Sequence, residues 1–265
     1  MTFTLGPALL FCPADRPDRF AKALERADAV ILDLEDAVAP ADRAAARAAL
    51  AGHPLDPERV IVRVNAATTP DFSADLAAVM ATRYRTIMVA KADAAMPPLS
   101  DFDVIALCET AAGVVDAPEL ARRPEVCALM WGAEDLIASL GGTSSRDASG
   151  GYRDAPRYAR SAVLLAAGAA GIAAIDTVHL DITDLDGLNA EAEDAAASGF
   201  AATACIHPSH VAVIRAAYRP TGAQIAAAQE VLAAAANHDG VFQLNGQMVD
   251  GPVLRHAEAV LRRGR

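Results

Sequence analysis

Six stretches of this chain repeat one pattern: a short apolar run that ends in a charged or polar residue. They are residues 29–36 (AVILDLED), 60–65 (VIVRVN), 86–91 (TIMVAK), 104–110 (VIALCET), 128–135 (ALMWGAED) and 202–207 (ATACIH). Continuous apolar runs of this length suit strands buried on both faces, as in a parallel sheet. Segments with helical spacing follow most of them, at residues 40–50, 71–80, 113–122, 136–140 and 209–217. Residues 86–91 are followed instead by a short Pro-interrupted segment. Residues 8–13 with 16–26, and 173–181 with 184–198, complete eight strand-led units in series. That order predicts an α/β fold, a TIM (β/α)8 barrel, more naturally than an open sheet. In such a barrel every strand exit opens on one mouth, so polar residues far apart in sequence meet in space.

Two parts break the rhythm. Residues 141–154 (GGTSSRDASGGYRD) are polar and Gly-rich and follow the sixth strand unit, which places them as a loop at the mouth. After Pro220 the alternation stops. Residues 221–237 read as an Ala-rich helix, 241–250 (VFQLNGQMVD) as a hairpin around Asn-Gly, and 252–263 as a last helix. The expected organisation is a catalytic barrel over residues 1–220 and a helical and hairpin extension over 221–265, acting as a lid or an oligomer arm.

Composition narrows the function classes. The 265 residues are close to the roughly 250 of a barrel domain. A net charge of −11 repels phosphate, which argues against nonspecific nucleic-acid or anionic-membrane binding. Cys12, Cys108, Cys127 and Cys205 lie in or beside apolar runs without a Cys-x-x-Cys pattern, so they read as buried free thiols of a cytoplasmic protein. The start, MTFTLGPALLF, is a poor signal peptide, and no charge-free apolar run reaches the length of a membrane span.

The candidate chemistry sits at the ends of the runs. Glu109 and Asp135 end neighbouring strands, where two carboxylates can share a hard cation such as magnesium; helix capping or surface ion pairing is the competing reading. Arg63, inside a buried strand, needs an anion: a substrate oxygen, or Glu35 or Asp36 from the adjacent strand. Lys91 reads as a Schiff-base lysine or as a neutraliser of nearby carboxylates, and the carboxylate-rich surroundings favour the second. Arg16 and Lys22 fall in the first strand-to-helix turn, where cations reinforce anion binding at a helix start or simply form a solvated face. His207 and His210 fit a catalytic pair less well than structural histidines. His179 and Asp181 have no clear role.

Taken in order, LFCPADRPDRFAKA, ILDLEDAVAP, VRVN, VAK, CETAAGV, WGAEDLIASLGG, CIHPSH and GQMVD resemble the citrate lyase beta subunit-like family of the HpcH/HpaI aldolase superfamily. That family includes malyl-CoA and citramalyl-CoA lyases, and the match covers residues 8 to 262. The resemblance implies a TIM barrel, a magnesium ion, and Claisen chemistry on an acyl thioester. It implies Glu109 and Asp135 as metal ligands. Arg63, Glu109 and Glu134 would contact substrate, and Arg63, Glu35, Asp36 and Lys91 would line the reacting centre. Phe11, Arg16, Lys22 and Ile206 would bind coenzyme A, and Asp250 would be the catalytic aspartate, reaching into a neighbouring subunit of a homo-oligomer, which the resemblance implies is a trimer. Departures from the common pattern are Ala112 for Arg, Ala90 for Pro and His210 for Gln, which bear on substrate identity. The expected activity is magnesium-dependent cleavage or formation of a 3-hydroxyacyl-CoA such as malyl-CoA or citramalyl-CoA, giving acetyl-CoA and a 2-oxoacid, with thioesterase or malate synthase side activity. The alternatives are a citrate lyase beta subunit acting on citryl-acyl carrier protein in a complex, and a class II aldolase acting on free hydroxy-ketoacids.

Overall fold

A computed structural model describes residues 3–238 and 240–264. The chain divides into two compact units, one up to Ile214 and a second from Arg215 on. In the first, the order is β1 (Ala8–Pro13), α1 (Phe20–Arg26), β2 (Ala29–Asp33), α2 (Arg43–Gly52), β3 (Val60–Val64), α3 (Asp71–Met80), β4 (Thr86–Val89), β5 (Asp103–Cys108), α4 (Ala111–Leu120), β6 (Val126–Trp131), α5 (Ala133–Ser139), α6 (Asp154–Ala170), β7 (Ala173–Asp176), α7 (Leu185–Ser198) and β8 (Ala202–Cys205), leading into α8 (Pro208–Tyr218). Strands β1 to β8 are all parallel, pair in sequence order, and close when β1 meets β8. This is the TIM barrel that the spacing of apolar runs predicts. Between β4 and β5 the chain passes through turns rather than a helix. Pro97 and Pro98 in that segment remove two backbone donors and disfavour a helical turn.

Strand periodicity decides what faces the barrel axis. Leu9, Ile31, Ile61, Met88, Ile105, Leu107, Met130, Ile175 and Ala204 form one buried interior cluster. Side chains alternate along a strand, so the residue two beyond an interior residue points the same way, toward the mouth. Applied to seven of the strands, this rule yields Phe11, Asp33, Arg63, Glu109, Gly132, Thr177 and Ile206, and all seven line one cavity. The residues of opposite parity, such as Leu10, Leu32, Val62 and Leu129, are buried from the other side. Both faces of each strand are therefore apolar, which is why these runs read as continuous rather than alternating.

The second unit holds α9 (Gly222–Ala235), the antiparallel pair β9 (Phe242–Leu244) and β10 (Gln247–Val249), and α10 (Gly251–Arg263). Thr221 caps α9 through a capping box with Gln224. Asn245 and Gly246 both take positive φ, 50° and 81°, as a two-residue turn between twisted strands requires. Asp250 caps α10 by accepting from the Val253 amide at 3.3 Å.

One glycine in the first unit fixes a close approach. A Cβ on Gly113, in the first turn of α4, would lie 2.4 Å from the backbone oxygen of Ala92. Helix propensity favours alanine by about 1 kcal/mol, but overpacking against backbone costs ~1–3 kcal/mol and wins. Gly113→Ala is therefore expected to lower stability by ~1–2 kcal/mol in urea unfolding; an unchanged or raised midpoint would contradict this packing.

Candidate active site

The cavity at the barrel mouth has a volume of about 420 Å³. Its apolar lining includes Leu107, Met130, Val178, Leu180, Phe11 and Ile206, and its polar groups are Asp33, Asp36, Arg63, Glu109, Glu134, Asp135 and Thr177. A mostly apolar cleft with a few convergent polar groups is the usual form of a small-molecule site.

Arg63 is held from two sides. Its Nε and Nη2 donate to the two oxygens of Asp33 at 2.7 and 2.6 Å, and its Nη1 lies 3.2 Å from Glu35 Oε2. Asp33 also accepts the backbone amides of Glu35 and Ala37 at 2.9 and 3.2 Å. The guanidinium stands over the Phe11 ring, 4.9 Å from its centroid. Burial opposes the charge of Arg63, yet the bond to Asp33 and the fields of Asp33, Glu35 and Glu109 hold it above arginine's usual range. Glu35 meets Arg63 as the sequence suggested, but Asp36 does not: it sits 3.5 Å from Lys91 instead. The principal partner, Asp33, is the last residue of β2 and is not among the anions that the sequence offers to Arg63. Strand parity identifies it, since Asp33 shares the inward face with Ile31. Below this pair, Asn65 donates to Leu34 O and Asp75 Oδ2 at 3.0 and 2.7 Å, and Arg47 Nε meets Asp75 at 2.7 Å. That buried network ties the exits of β2 and β3 to α2 and α3.

Lys91 follows β4 in the left-handed region, with φ at 50°. There its amide donates to Glu109 Oε1 at 3.0 Å. Its ammonium donates to Glu35 Oε1 at 2.5 Å and lies 3.4 Å from Asp135, 3.5 Å from Asp36 and 3.9 Å from Glu109. Burial works against the ammonium, but the bond to Glu35 and the fields of Glu109, Glu35 and Asp135 hold it above lysine's usual range. A deprotonated amine is what Schiff-base chemistry requires, so this environment suits the neutralising role. Glu109 is nearly buried, and burial together with Asp135 pushes its carboxyl up to about 8 against the pull of Lys91 and Arg63. Glu35 is likewise raised by burial, against the fields of Arg63 and Lys91.

The donor set fits a small hard cation. Glu109 and Asp135 face one cavity, and a Cβ on Gly132 would lie 3.0 Å from Glu109 Oε2, so only glycine leaves that oxygen clear. Two carboxylates at one cavity are a donor set that magnesium accepts, since that ion keeps several waters and takes one or two protein carboxylates. Beside Asp135, Glu134 accepts from the Ser145 hydroxyl at 2.5 Å and also lines the cavity.

A second cavity, about 410 Å³, opens beside the first and shares Phe11, Pro13 and Ile206 with it. Arg19, Lys22 and Arg26 line it. Lys22 and Ile206 line this cavity, while Arg16 is exposed and pairs with Asp18 at 3.3 Å. Arg19 and Arg26 were missed; they lie at helical spacing from Lys22 on α1 and its lead-in, and that spacing is the signal. His207 and His210 are engaged locally, with Ser209 and with Ile182 O. His179 Nδ1 lies 2.8 Å from Glu191. The four cysteines are buried and are not joined in disulfides.

Fold and site together define a barrel enzyme with a carboxylate-rich mouth. The family model for HpcH/HpaI aldolase/citrate lyase matches residues 8–97 and 99–208, and the chain belongs to that family of carbon–carbon lyases. It is 57% identical over 260 residues to a citrate lyase subunit beta-like protein of Mycobacterium tuberculosis, covering 97% of this chain and 95% of that one. It is 31% identical over 314 residues to the L-malyl-CoA/beta-methylmalyl-CoA lyase of Cereibacter sphaeroides, covering 99% and 98%. A crystal structure of the protein CitE from Mycobacterium tuberculosis, in complex with magnesium, acetoacetate and coenzyme A, superposes with a TM-score of 0.95 at 56% identity, covering 98% of each chain.

The bidentate pair gives a stability test. Breaking a buried ion pair by removing one charge leaves the other uncompensated and costs ~3–5 kcal/mol. Asp33→Asn should lose most of that in denaturant unfolding, and a loss below about 1 kcal/mol would show that Glu35 alone suffices to hold Arg63.

Proposed function

We propose that this chain is a magnesium-dependent lyase that cleaves or forms a 3-hydroxyacyl-CoA thioester of the malyl-CoA or citramalyl-CoA kind. The observation that carries the proposal is the pair of adjoining cavities. One presents Arg63, Glu109 and Asp135 to a compact polar group, and the other presents Arg19, Lys22 and Arg26 to an anionic arm. An acyl thioester of coenzyme A has those two parts joined end to end. One relative named as an L-malyl-CoA/beta-methylmalyl-CoA lyase, and another crystallised with magnesium, acetoacetate and coenzyme A, support the same reading.

In this reading Glu109 and Asp135 hold magnesium, which supplies a Lewis acid that polarises the substrate's hydroxyl and carboxylate oxygens. The chain's own groups do the rest. Asp36, on the rim, receives the hydroxyl proton. The carbon–carbon bond then breaks, its electrons pass to the thioester, and the 2-oxoacid carbonyl forms. Arg63 stabilises the resulting enolate oxygen, and it is preorganised for this because Asp33 and Glu35 fix its plane before substrate arrives. Asp250 delivers a proton to the enolate carbon, or removes one from the acetyl methyl in the reverse direction. Its assignment rests on the family resemblance and on a subunit arrangement of trimer type. Phe11 and Ile206 pack between the two cavities against the thioester arm, and Lys22 and Arg19 attract its phosphates.

Purified protein should release acetyl-CoA and a 2-oxoacid from malyl-CoA or citramalyl-CoA only with magnesium present. Asp135→Asn should lower kcat/KM by ~10³-fold, equivalent to ~4 kcal/mol of transition-state stabilisation. Undiminished cleavage by that variant in a chelator rules the metal role out. Replacing Arg19 and Lys22 by glutamate should raise KM for the thioester by about tenfold with kcat little changed, since these groups touch only the distal arm. An unchanged KM would remove coenzyme A from the second cavity and favour a carrier-protein thioester or a free hydroxy-ketoacid.

A further inference from the structure

Lys91 is placed to do more than balance charge. Its ammonium lies within 4 Å of four carboxyl groups, and two of them, Glu109 and Asp135, are the pair assigned above to magnesium. We propose that Lys91 is a tethered stand-in for the metal: in the metal-free protein its ammonium competes with magnesium for Glu109 and Asp135, and so sets how tightly the metal is held. The proposal rests on the magnesium reading above.

Three features favour a competitor over a simple counter-ion. First, the tether is built in at the backbone. Lys91 keeps a left-handed conformation that non-glycine residues rarely adopt, and in it the amide and the ammonium of one residue both address Glu109 Oε1, at 3.0 and 3.9 Å. Such a conformation persists only where the surroundings determine it, as at functional sites. Second, the ammonium has a berth away from the metal ligands. Its one short bond is to Glu35 at 2.5 Å, and Asp36 lies at 3.5 Å. The Lys91 side chain is 31% exposed, so it can swing toward that side without unpacking the barrel. Third, the mouth keeps a surplus of negative charge. Asp33, Glu35, Asp36, Glu109 and Asp135 face Arg63 and Lys91, five carboxyl groups against two cations. Removing one positive charge favours any cation there, and a divalent ion gains twice what a proton gains at the same distance. A counter-ion that merely held the carboxylates in place would give the opposite result, because its loss would disorder or protonate them and weaken the metal.

Calorimetric titration of the full-length protein with magnesium chloride decides between these outcomes, using wild type, Lys91→Met and Lys91→Arg. The expected result is an affinity about tenfold tighter in Lys91→Met and within about twofold of wild type in Lys91→Arg, which keeps the charge. The metal-free Lys91→Met protein should also melt lower than wild type and gain more from added magnesium. A folded Lys91→Met protein that binds magnesium no more tightly than wild type overturns the competitor role while leaving the magnesium reading intact. A wild-type chain that binds no magnesium overturns both. If Lys91→Met does not fold, a magnesium-soaked wild-type crystal supplies the readout: Nζ should remain on Glu35 and Asp36 and leave Asp135. Nζ still within 3.4 Å of Asp135 in that crystal overturns the proposal.

Discussion

Five carboxyl groups at the mouth of this barrel face two cations, Arg63 and Lys91. Like charges so close together in a partly dry cleft are costly, and the structure meets the cost in two ways. Where a cation is at hand, the carboxylate is bound tightly, as in the two-point contact between Asp33 and Arg63. Where the compensation is incomplete, as at Glu109, the group is driven toward its neutral form. A group left in that state gains most from an added cation. The electrostatic frustration of the mouth and its proposed affinity for magnesium are thus one property seen from two sides.

The barrel makes this convergence tolerable. Asp33 ends β2, Glu35, Asp36 and Glu109 follow directly on β2 and β5, and Asp135 opens α5 behind β6, so the cost of the polar mouth is met by the apolar barrel interior below it. The rigidity that comes with close packing also fixes the geometry. Arg63 cannot relax away from Asp33 without moving β2 against β3, whose exits are tied through Asn65 and Asp75. A guanidinium held in one plane before substrate arrives needs no reorganisation during reaction, which is what an oxyanion-stabilising group requires.

Much of the site was legible because strand periodicity is strict. Glu109, Arg63 and Ile206 fall on the inward parity of their strands, and reading two residues past the interior layer finds them. The same rule finds Asp33, whose place within the run AVILDLED hides it from a reading of run ends alone. Lys91 breaks the rule. By parity Ala90, not Lys91, follows Met88 on the inward face, and only the left-handed turn brings the lysine to the mouth. Which carboxylate meets which cation was not legible either: Asp36 and Glu35 are adjacent in sequence, yet Arg63 takes one and Lys91 reaches both.

By itself the sequence determined the architecture and the identity of most polar groups at the mouth, because both follow from local rules. Run length and the two-residue period of a strand decide what is buried, and the order of runs decides which strands are neighbours. Tertiary structure alone decided the pairings, the second cavity with Arg19 and Arg26, and the conformation at Lys91. Those depend on distances between groups from different strands and helices, and such distances are set by the closure of the barrel rather than by any local stretch of chain.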